Sequence, residues 1–190
     1  MRILLLGLQG SGKGTQAKRI AASHGIPHVA TGEILRSAIA AETELGRRVQ
    51  PILERGDLVP DELMVDLIRE RLQEEDGFVL DGFPRTLPQA DALDAMLAEI
   101  GKPLDIVLLL QVGDDVASSR LLGRAAEEGR KDDEPDAIAN RLRHYHEETE
   151  PVVERYRTEG TLVPIPGERG IGEVAADIDA ALTHVAVRSR

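Results

Sequence analysis

The run Gly7-Leu8-Gln9-Gly10-Ser11-Gly12-Lys13-Gly14-Thr15 limits what this chain can fold into more than any other stretch. It follows an apolar segment, residues 3–6, and opens an amphipathic stretch of helical spacing, residues 14–24. Its glycines reach backbone conformations that other residues avoid, so the loop can wrap an anion closely with its N–H groups turned inward. A helix starting at such a loop turns its positive end to the same anion. Lys13 stands where an ammonium reaches the outer phosphates of a nucleotide. Strand, glycine-rich turn and helix in this order predict a phosphate-binding loop, with Gly10, Ser11, Gly12, Lys13, Gly14 and Thr15 facing phosphate. In the commoner form of the loop a Ser or Thr follows the Lys directly. Here Gly14 takes that place and Thr15 comes one residue later, which moves the expected magnesium role away from Thr15.

Further unalternating apolar runs lie at 27–30, 78–80, 106–110 and 162–165, most of them bounded by Gly, Pro or Asp. Such runs suit strands covered on both faces. Helical patterns fill the intervals at 32–41, 45–55, 61–74, 87–100, 114–124, 135–158 and 171–187. The alternation predicts an α/β fold, a doubly wound, five-stranded parallel sheet with helices on both faces. Along 135–158, Ile138, Leu142, Tyr145, Thr149, Val152 and Tyr156 recur at spacings of three or four and predict one buried stripe. Asp61 and Glu62 place negative charge at the positive end of the helix they open. Two segments break the simple alternation. Two successive helical patterns occupy 32–55, and 125–134 carries charge of both signs without a core pattern. Excursions of this kind in a compact domain are often lids. The expected organisation is one domain over 1–190: a core of 1–29, 60–124 and 135–190, a helical excursion at 30–59 and a short lid at 125–134.

Charge and composition narrow the partners. The chain carries 34 acidic and 23 basic residues, a formal net charge of −11, which argues against nucleic acid as a partner. An anionic ligand must then be held by a local positive cluster. Of the 23 basic residues 19 are Arg, whose planar fork suits phosphate. The absence of cysteine removes disulfides and cysteine-ligated zinc. No apolar run is long enough to span a membrane, and Met1 leads straight into a strand-like segment with no cleavable signal pattern, so a cytoplasmic location is expected. The five His residues fit no metal or catalytic spacing; His144 and His146, two apart, point to different sides of a helix.

Asp81 ends the apolar run 78–80. The carboxyl end of a buried strand is where open α/β sheets bind ligands, and beside a phosphate-binding loop an Asp there helps hold magnesium.

The chain resembles the adenylate kinase family, P-loop enzymes among the nucleoside monophosphate kinases, over nearly its whole length. The Gly-Lys-Gly-Thr form of the loop, followed by Gln16, looks like that family's own. Ala30-Thr31-Gly32-Glu33-Ile34-Leu35-Arg36 resembles the segment whose Thr contacts AMP and whose Arg grips its phosphate. Gly56-Asp57-Leu58-Val59-Pro60 resembles the end of the AMP-binding excursion. Asp81-Gly82-Phe83-Pro84-Arg85, with Gln89 four residues on, resembles the signature segment in which Arg contacts phosphate and Gln reads adenine. Arg120 and Arg124 resemble the two Arg residues entering the lid, Arg124 on the ATP phosphates. Arg130-Lys131-Asp132-Asp133 and Asn140-Arg141-Leu142 resemble the segments that supply Arg to both phosphate groups. Arg169 lies where the family holds the adenine of ATP with the loop before the last helix, so a backbone contact is implied. The brevity of 125–134 resembles the short-lid bacterial subgroup.

The resemblance implies reversible phosphoryl transfer from Mg-ATP to AMP, giving ADP, by a monomer that needs Mg2+ and no zinc. It implies catalytic roles for Lys13, Arg85, Arg124, Arg130 and Arg141, and a magnesium role for Asp81 through water. The chemistry agrees with the residue types. The attacking phosphate oxygen of AMP is already anionic, so no general base is required, and positioning with fixed positive charge supplies most of the acceleration. Two other readings share part of the pattern: a UMP/CMP kinase of the same fold, against which Thr31 and Gln89 speak, and a module that binds ATP without transfer, which would not need the full Arg set.

Overall fold

The computed structural model describes residues 1–188, with side chains described through 184. Five strands form one parallel sheet: β1 Arg2–Leu6, β2 His28–Ala30, β3 Phe78–Asp81, β4 Ile106–Gln111 and β5 Leu162–Pro166, in the order β2-β3-β1-β4-β5. β1 is central, and its side chains alternate between two cores. Ile3 and Leu5 pack with Ala17 and Ile20 of helix α1 (Lys13–His24) and with Val174, Ile178 and Leu182 of helix α9 (Ile171–Arg188). Leu4 and Leu6 face the other way, into a larger cluster with helices α4 (Asp61–Leu72), α5 (Leu87–Glu99) and α8 (Glu150–Thr158). Covering both faces explains why the strand sequences do not alternate in polarity. The edge strand β5 carries Pro164 and Pro166, tolerated there because an edge leaves one row of N–H groups unneeded.

The register sets the site. Leu5 pairs with Asp81 on one side and Leu108 on the other, so β1, β3 and β4 end together. The phosphate-binding loop leaves β1 between the two neighbours that lead the chain in opposite directions, where open sheets form their ligand crevice.

The excursion after β2 contains helices α2 (Thr31–Ala40) and α3 (Glu44–Glu54), the second capped by the Thr43 hydroxyl, which accepts from Gly46 N–H at 3.0 Å. Helix α6 (Asp114–Glu128) runs four residues past the expected end at 124 before left-handed Gly129 stops it. The polar composition of 125–128 hid good helix formers, two Ala and two Glu. Only then comes a short 3-10 turn, Lys131–Asp133. Helix α7 (Pro135–His144) continues through a wide π turn, Tyr145–Thr149, into α8. Pro151 offers no N–H to the turn before it, consistent with the loosened ladder there. The predicted stripe holds across the break: Ile138, Thr149, Val152 and Tyr156 are buried, Leu142 and Tyr145 half-buried.

Candidate active site

Gly7, Gly10 and Gly12 all adopt positive φ in the loop after β1. At Gly10 a side chain is excluded twice over, by a φ of 85° and by the Ala117 carbonyl of α6, 2.5 Å from where a Cβ would stand. Gly12 caps α1 in the left-handed region with no side-chain bond, so the first N–H groups of α1 face the crevice. Lys13 Nζ curls over the loop and donates to the carbonyls of Gly7 at 2.7 Å and Leu8 at 2.8 Å. Burial pushes its pKa down to about 8, with Asp81 pulling it up and Arg85 and Arg124 pushing it further down. Arg120 bridges the loop to the turn after β5, donating to Ser11 O at 3.4 Å and Gly167 O at 3.1 Å.

Asp81 sits half-buried across from Lys13, with His28 Nε2 3.8 Å from its Oδ2. Burial pushes the Asp81 carboxyl up, but His28, Lys13 and Arg85 outweigh it and hold it below the ordinary range. Among the described residues no group of three His, Cys, Asp or Glu could hold a metal. A single ionised carboxylate beside a phosphate loop suits magnesium, which keeps most of its waters and arrives on phosphates. Thr15 is exposed on the rim of the same crevice.

Two adjoining acids organise the guanidiniums. Asp133, with no exposed surface, accepts from Arg124 Nε at 2.6 Å and Nη2 at 2.8 Å, and from Arg141 Nη1 at 2.7 Å. Asp132 accepts from Arg130 Nη2 at 2.8 Å and from Arg141 Nη2, and Arg36 Nη1 approaches it at 3.8 Å. Burial opposes the charge on Asp132, but Arg130 and Arg141 hold its carboxyl far below the usual range. Glu128 also approaches Arg130 at 3.6 Å, so four guanidiniums meet three carboxylates and positive charge stays in excess. Arg85 is held by its backbone: its N–H donates to Gln89 Oε1 at 2.8 Å, and its carbonyl accepts from the Thr149 hydroxyl at 2.9 Å. Its Nε donates to Gly82 O at 2.9 Å, and no carboxylate pairs with its guanidinium among the described residues. Burial, with Arg141 and Arg36 nearby, pushes its pKa down to about 10.

These groups divide two cavities. The larger, about 590 Å³, is lined by the glycine loop, Lys13, Asp81, Arg120, Arg124 and Arg130. The smaller, about 40 Å³, lies under the excursion and is lined by Thr31, Leu35, Leu53, Asp57, Leu58, Val59, Met64 and Gln89. Arg36, Arg85 and Arg141 line both. One cavity carries the phosphate loop, the other sets Leu35, Leu53, Leu58, Val59 and Met64 beside charged groups, and Arg36, Arg85 and Arg141 join the two.

Comparison with known proteins decides the family. The family model described as adenylate kinase matches residues 5–161. The chain belongs to the adenylate kinase family. An adenylate kinase of Phenylobacterium zucineum (strain HLK1) is 47% identical over 189 residues, covering 98% of this chain and 100% of its own. One from Stenotrophomonas maltophilia (strain R551-3) is 45% identical over 185 residues, 96% of this chain and 99% of its own. One from Caulobacter sp. (strain K31) is 46% identical over 189 residues, with 98% and 100% covered.

Most of the residues expected from the resemblance to adenylate kinases meet at these two cavities. Gly82, Phe83 and Pro84 form the wall beside Arg85. Ser11 is buried beneath the loop, its hydroxyl 3.5 Å from Lys13 Nζ. Arg169, for which a backbone contact is implied, pairs its side chain with Asp177 of α9, and it lines neither cavity. Sequence reasoning left Asp132 and Asp133 without a role, although they stand two and three residues after Arg130. Thr149, expected only as a member of the buried stripe, also anchors Arg85 across 64 residues of chain.

Proposed function

We propose that this chain transfers the terminal phosphoryl group of Mg-ATP to AMP, giving two ADP, with the larger cavity as the ATP site and the smaller as the AMP site. The observation that carries this reading is the sharing of Arg36, Arg85 and Arg141 between the two cavities. A site for one nucleotide has no use for a second cavity, with its own aliphatic wall, behind its phosphate-facing guanidiniums. In the transfer a phosphate oxygen of AMP attacks the γ-phosphorus in line, the bond to the β–γ bridging oxygen breaks, and ADP leaves with that oxygen's electrons.

The loop amides of Gly10 to Thr15 and Lys13 hold the β- and γ-phosphates, with Arg120 and Arg124 at the same end. The backbone around Arg169 borders the adenine of ATP. Arg36, Arg85 and Arg141 grip the AMP phosphate, while Thr31, Leu58, Val59 and Gln89 enclose its base once the excursion 30–59 moves to widen the cavity beyond its present volume of about 40 Å³. Asp57 closes the mouth of that cavity, fixed by Asn140 Nδ2 at 2.6 Å. Arg85, unpaired with a carboxylate among the described residues and lining both cavities, meets the transferring group; Arg124, Arg130 and Arg141 add the charge that spreads over it. Asp81 would hold magnesium through water, and the ion would supply neutralisation of phosphate charge when ATP is bound. Residues 30–59 and 125–134 touch through Arg36 and Asp132 and through Lys131 and Glu54, 3.6 Å apart, and act as the closing elements that exclude water. The enzyme works on free nucleotides as a cytoplasmic monomer.

Steady-state turnover with AMP, CMP and UMP as acceptors tests the reading. AMP is expected to give the highest kcat/KM; a pyrimidine acceptor ahead of it would assign the smaller cavity to a different base.

A further inference from the structure

Gln89 is 2% exposed and is the neutral amide in the wall of the smaller cavity. Its orientation is settled by two neighbours that each permit one answer. Arg85 N–H can only donate, and the atom facing it at 2.8 Å is Oε1. The Asp61 carboxylate accepts and does not donate, and the atom facing it at 2.6 Å is Nε2. Asp61 is itself fixed by the Thr86 hydroxyl, which donates to its other oxygen at 3.0 Å while accepting from Gln89 N–H at 3.3 Å. Asp61 belongs to the first turn of α4 and Gln89 to α5, so the contact also joins two helices of the core.

An amide oxygen has two acceptor sites and an amide nitrogen two hydrogens. With one of each engaged, the pinned amide keeps one acceptor and one donor, side by side, for whatever enters the cavity. The 6-amino edge of adenine presents the complement: a donor on the amino group and an acceptor at ring N1. The 6-oxo edge of hypoxanthine or guanine presents the reverse, and would set oxygen against oxygen and N–H against N–H. We propose that Asp61 is a positioning residue for base specificity: by locking Gln89 in one of its two amide orientations it makes the acceptor site select a 6-aminopurine over a 6-oxopurine. This rests on the reading that the smaller cavity takes the base of AMP.

The Arg85 N–H alone is a neutral donor, and one neutral hydrogen bond leaves the flipped amide accessible; a carboxylate partner contributes about tenfold or more to the preference. A site whose buried polar groups would be left mismatched rejects the wrong ligand strongly.

The test compares AMP with inosine monophosphate as acceptor, for the unaltered enzyme and for Asp61→Asn, whose side chain has the same shape but offers either an oxygen or an NH2 to Gln89. The unaltered enzyme prefers AMP. In Asp61→Asn the ratio of kcat/KM for AMP to that for inosine monophosphate falls about tenfold, through KM for the acceptor rather than for ATP. Thr86→Val serves as the companion variant. It removes the α5 cap and one of the bonds that fix Asp61 but keeps the carboxylate facing Gln89 Nε2, so thermal stability falls while the acceptor ratio falls by much less than in Asp61→Asn. Equal losses on both acceptors in Asp61→Asn, or a ratio that falls as far in Thr86→Val, would show Asp61 to be a helix tether only and overturn the proposal. If the unaltered enzyme itself does not favour AMP over inosine monophosphate, the base-site reading fails instead.

Discussion

Lys13 gives the ATP site a measurable proton account. Without phosphate its ammonium rests on two carbonyls, and burial sets its pKa at about 8 against an ordinary 10.5. Phosphate oxygens within reach of Nζ restore the charged form, so the pKa rises towards the ordinary value or beyond it. At pH 9 the free protein holds this proton in roughly one molecule in ten and the complex in nearly all, so ATP binding takes up about 0.9 proton; at pH 7 the uptake is about 0.1. Above pH 8 the affinity for ATP therefore falls, approaching tenfold per pH unit, with a limit of about 3 kcal/mol once the full difference is spent. The ligand-free fold runs the other way: its depressed Lys13 pKa means that the unfolded chain binds more protons between pH 8 and 10.5, so stability rises over that window. Isothermal titration of Mg-ATP at pH 9, in two buffers of different ionisation enthalpy, reads the uptake directly. Lys13→Met should abolish it; Arg85, with a pKa of about 10, adds little at pH 9. An uptake of zero in the unaltered protein, or one that survives Lys13→Met, would refute the assignment of Lys13 as the buried cation that meets the phosphates.

Asp133→Asn removes the buried charge on which Arg124 and Arg141 converge and turns one acceptor oxygen into an NH2 facing a guanidinium, and breaking a buried pair on one side costs about 3–5 kcal/mol. Denaturant unfolding should show a loss of that order, with turnover falling as the guanidiniums spread; a loss under about 1 kcal/mol would place the pair in the class of surface bridges. His146 links α6 to α8 through Asp114 at 2.9 Å and Glu150 at 2.8 Å, and these carboxylates raise its pKa above the ordinary 6.5. A raised folded pKa gives stability that is fully present below pH 6.5 and lost as the pH rises through the folded value. With the His146 side chain 42% exposed, His146→Gln should lower stability by less than about 1 kcal/mol at pH 5.5 and by still less at pH 8.5. Thermal melts at both values check the sign, and a larger loss at pH 8.5 would reverse it.

What could be read from the residues alone follows from how local the determining contacts are. The runs 3–6, 78–80 and 106–110 marked the central strands because burial on both faces removes alternation. The loop 7–15 was legible because its backbone requirements are met within one turn. Arg36, Arg85 and Arg141 were found by resemblance, yet their convergence depends on three separate elements reaching one wall. The roles of Asp132 and Asp133 were hidden because a charge run next to a lid reads as solvated surface; only the fold shows that Asp133 has no exposure. Asp61 looked like a partner for a helix end, and nothing local pointed to Gln89, 28 residues away. The extension of α6 through Glu128 was masked by polar composition, and the turn of Arg169 towards Asp177 is a side-chain choice that spacing does not encode.

The central claim is that two nucleotides meet across Arg36, Arg85 and Arg141 and that phosphoryl passes directly between them. Quantifying ATP, AMP, ADP and inorganic phosphate together over one time course with magnesium tests it most directly. ATP and AMP should disappear in equal amounts, with two ADP formed per AMP consumed and no phosphate released. ADP appearing with an equal amount of inorganic phosphate while AMP stays constant would contradict it, since the smaller cavity would then not hold the acceptor.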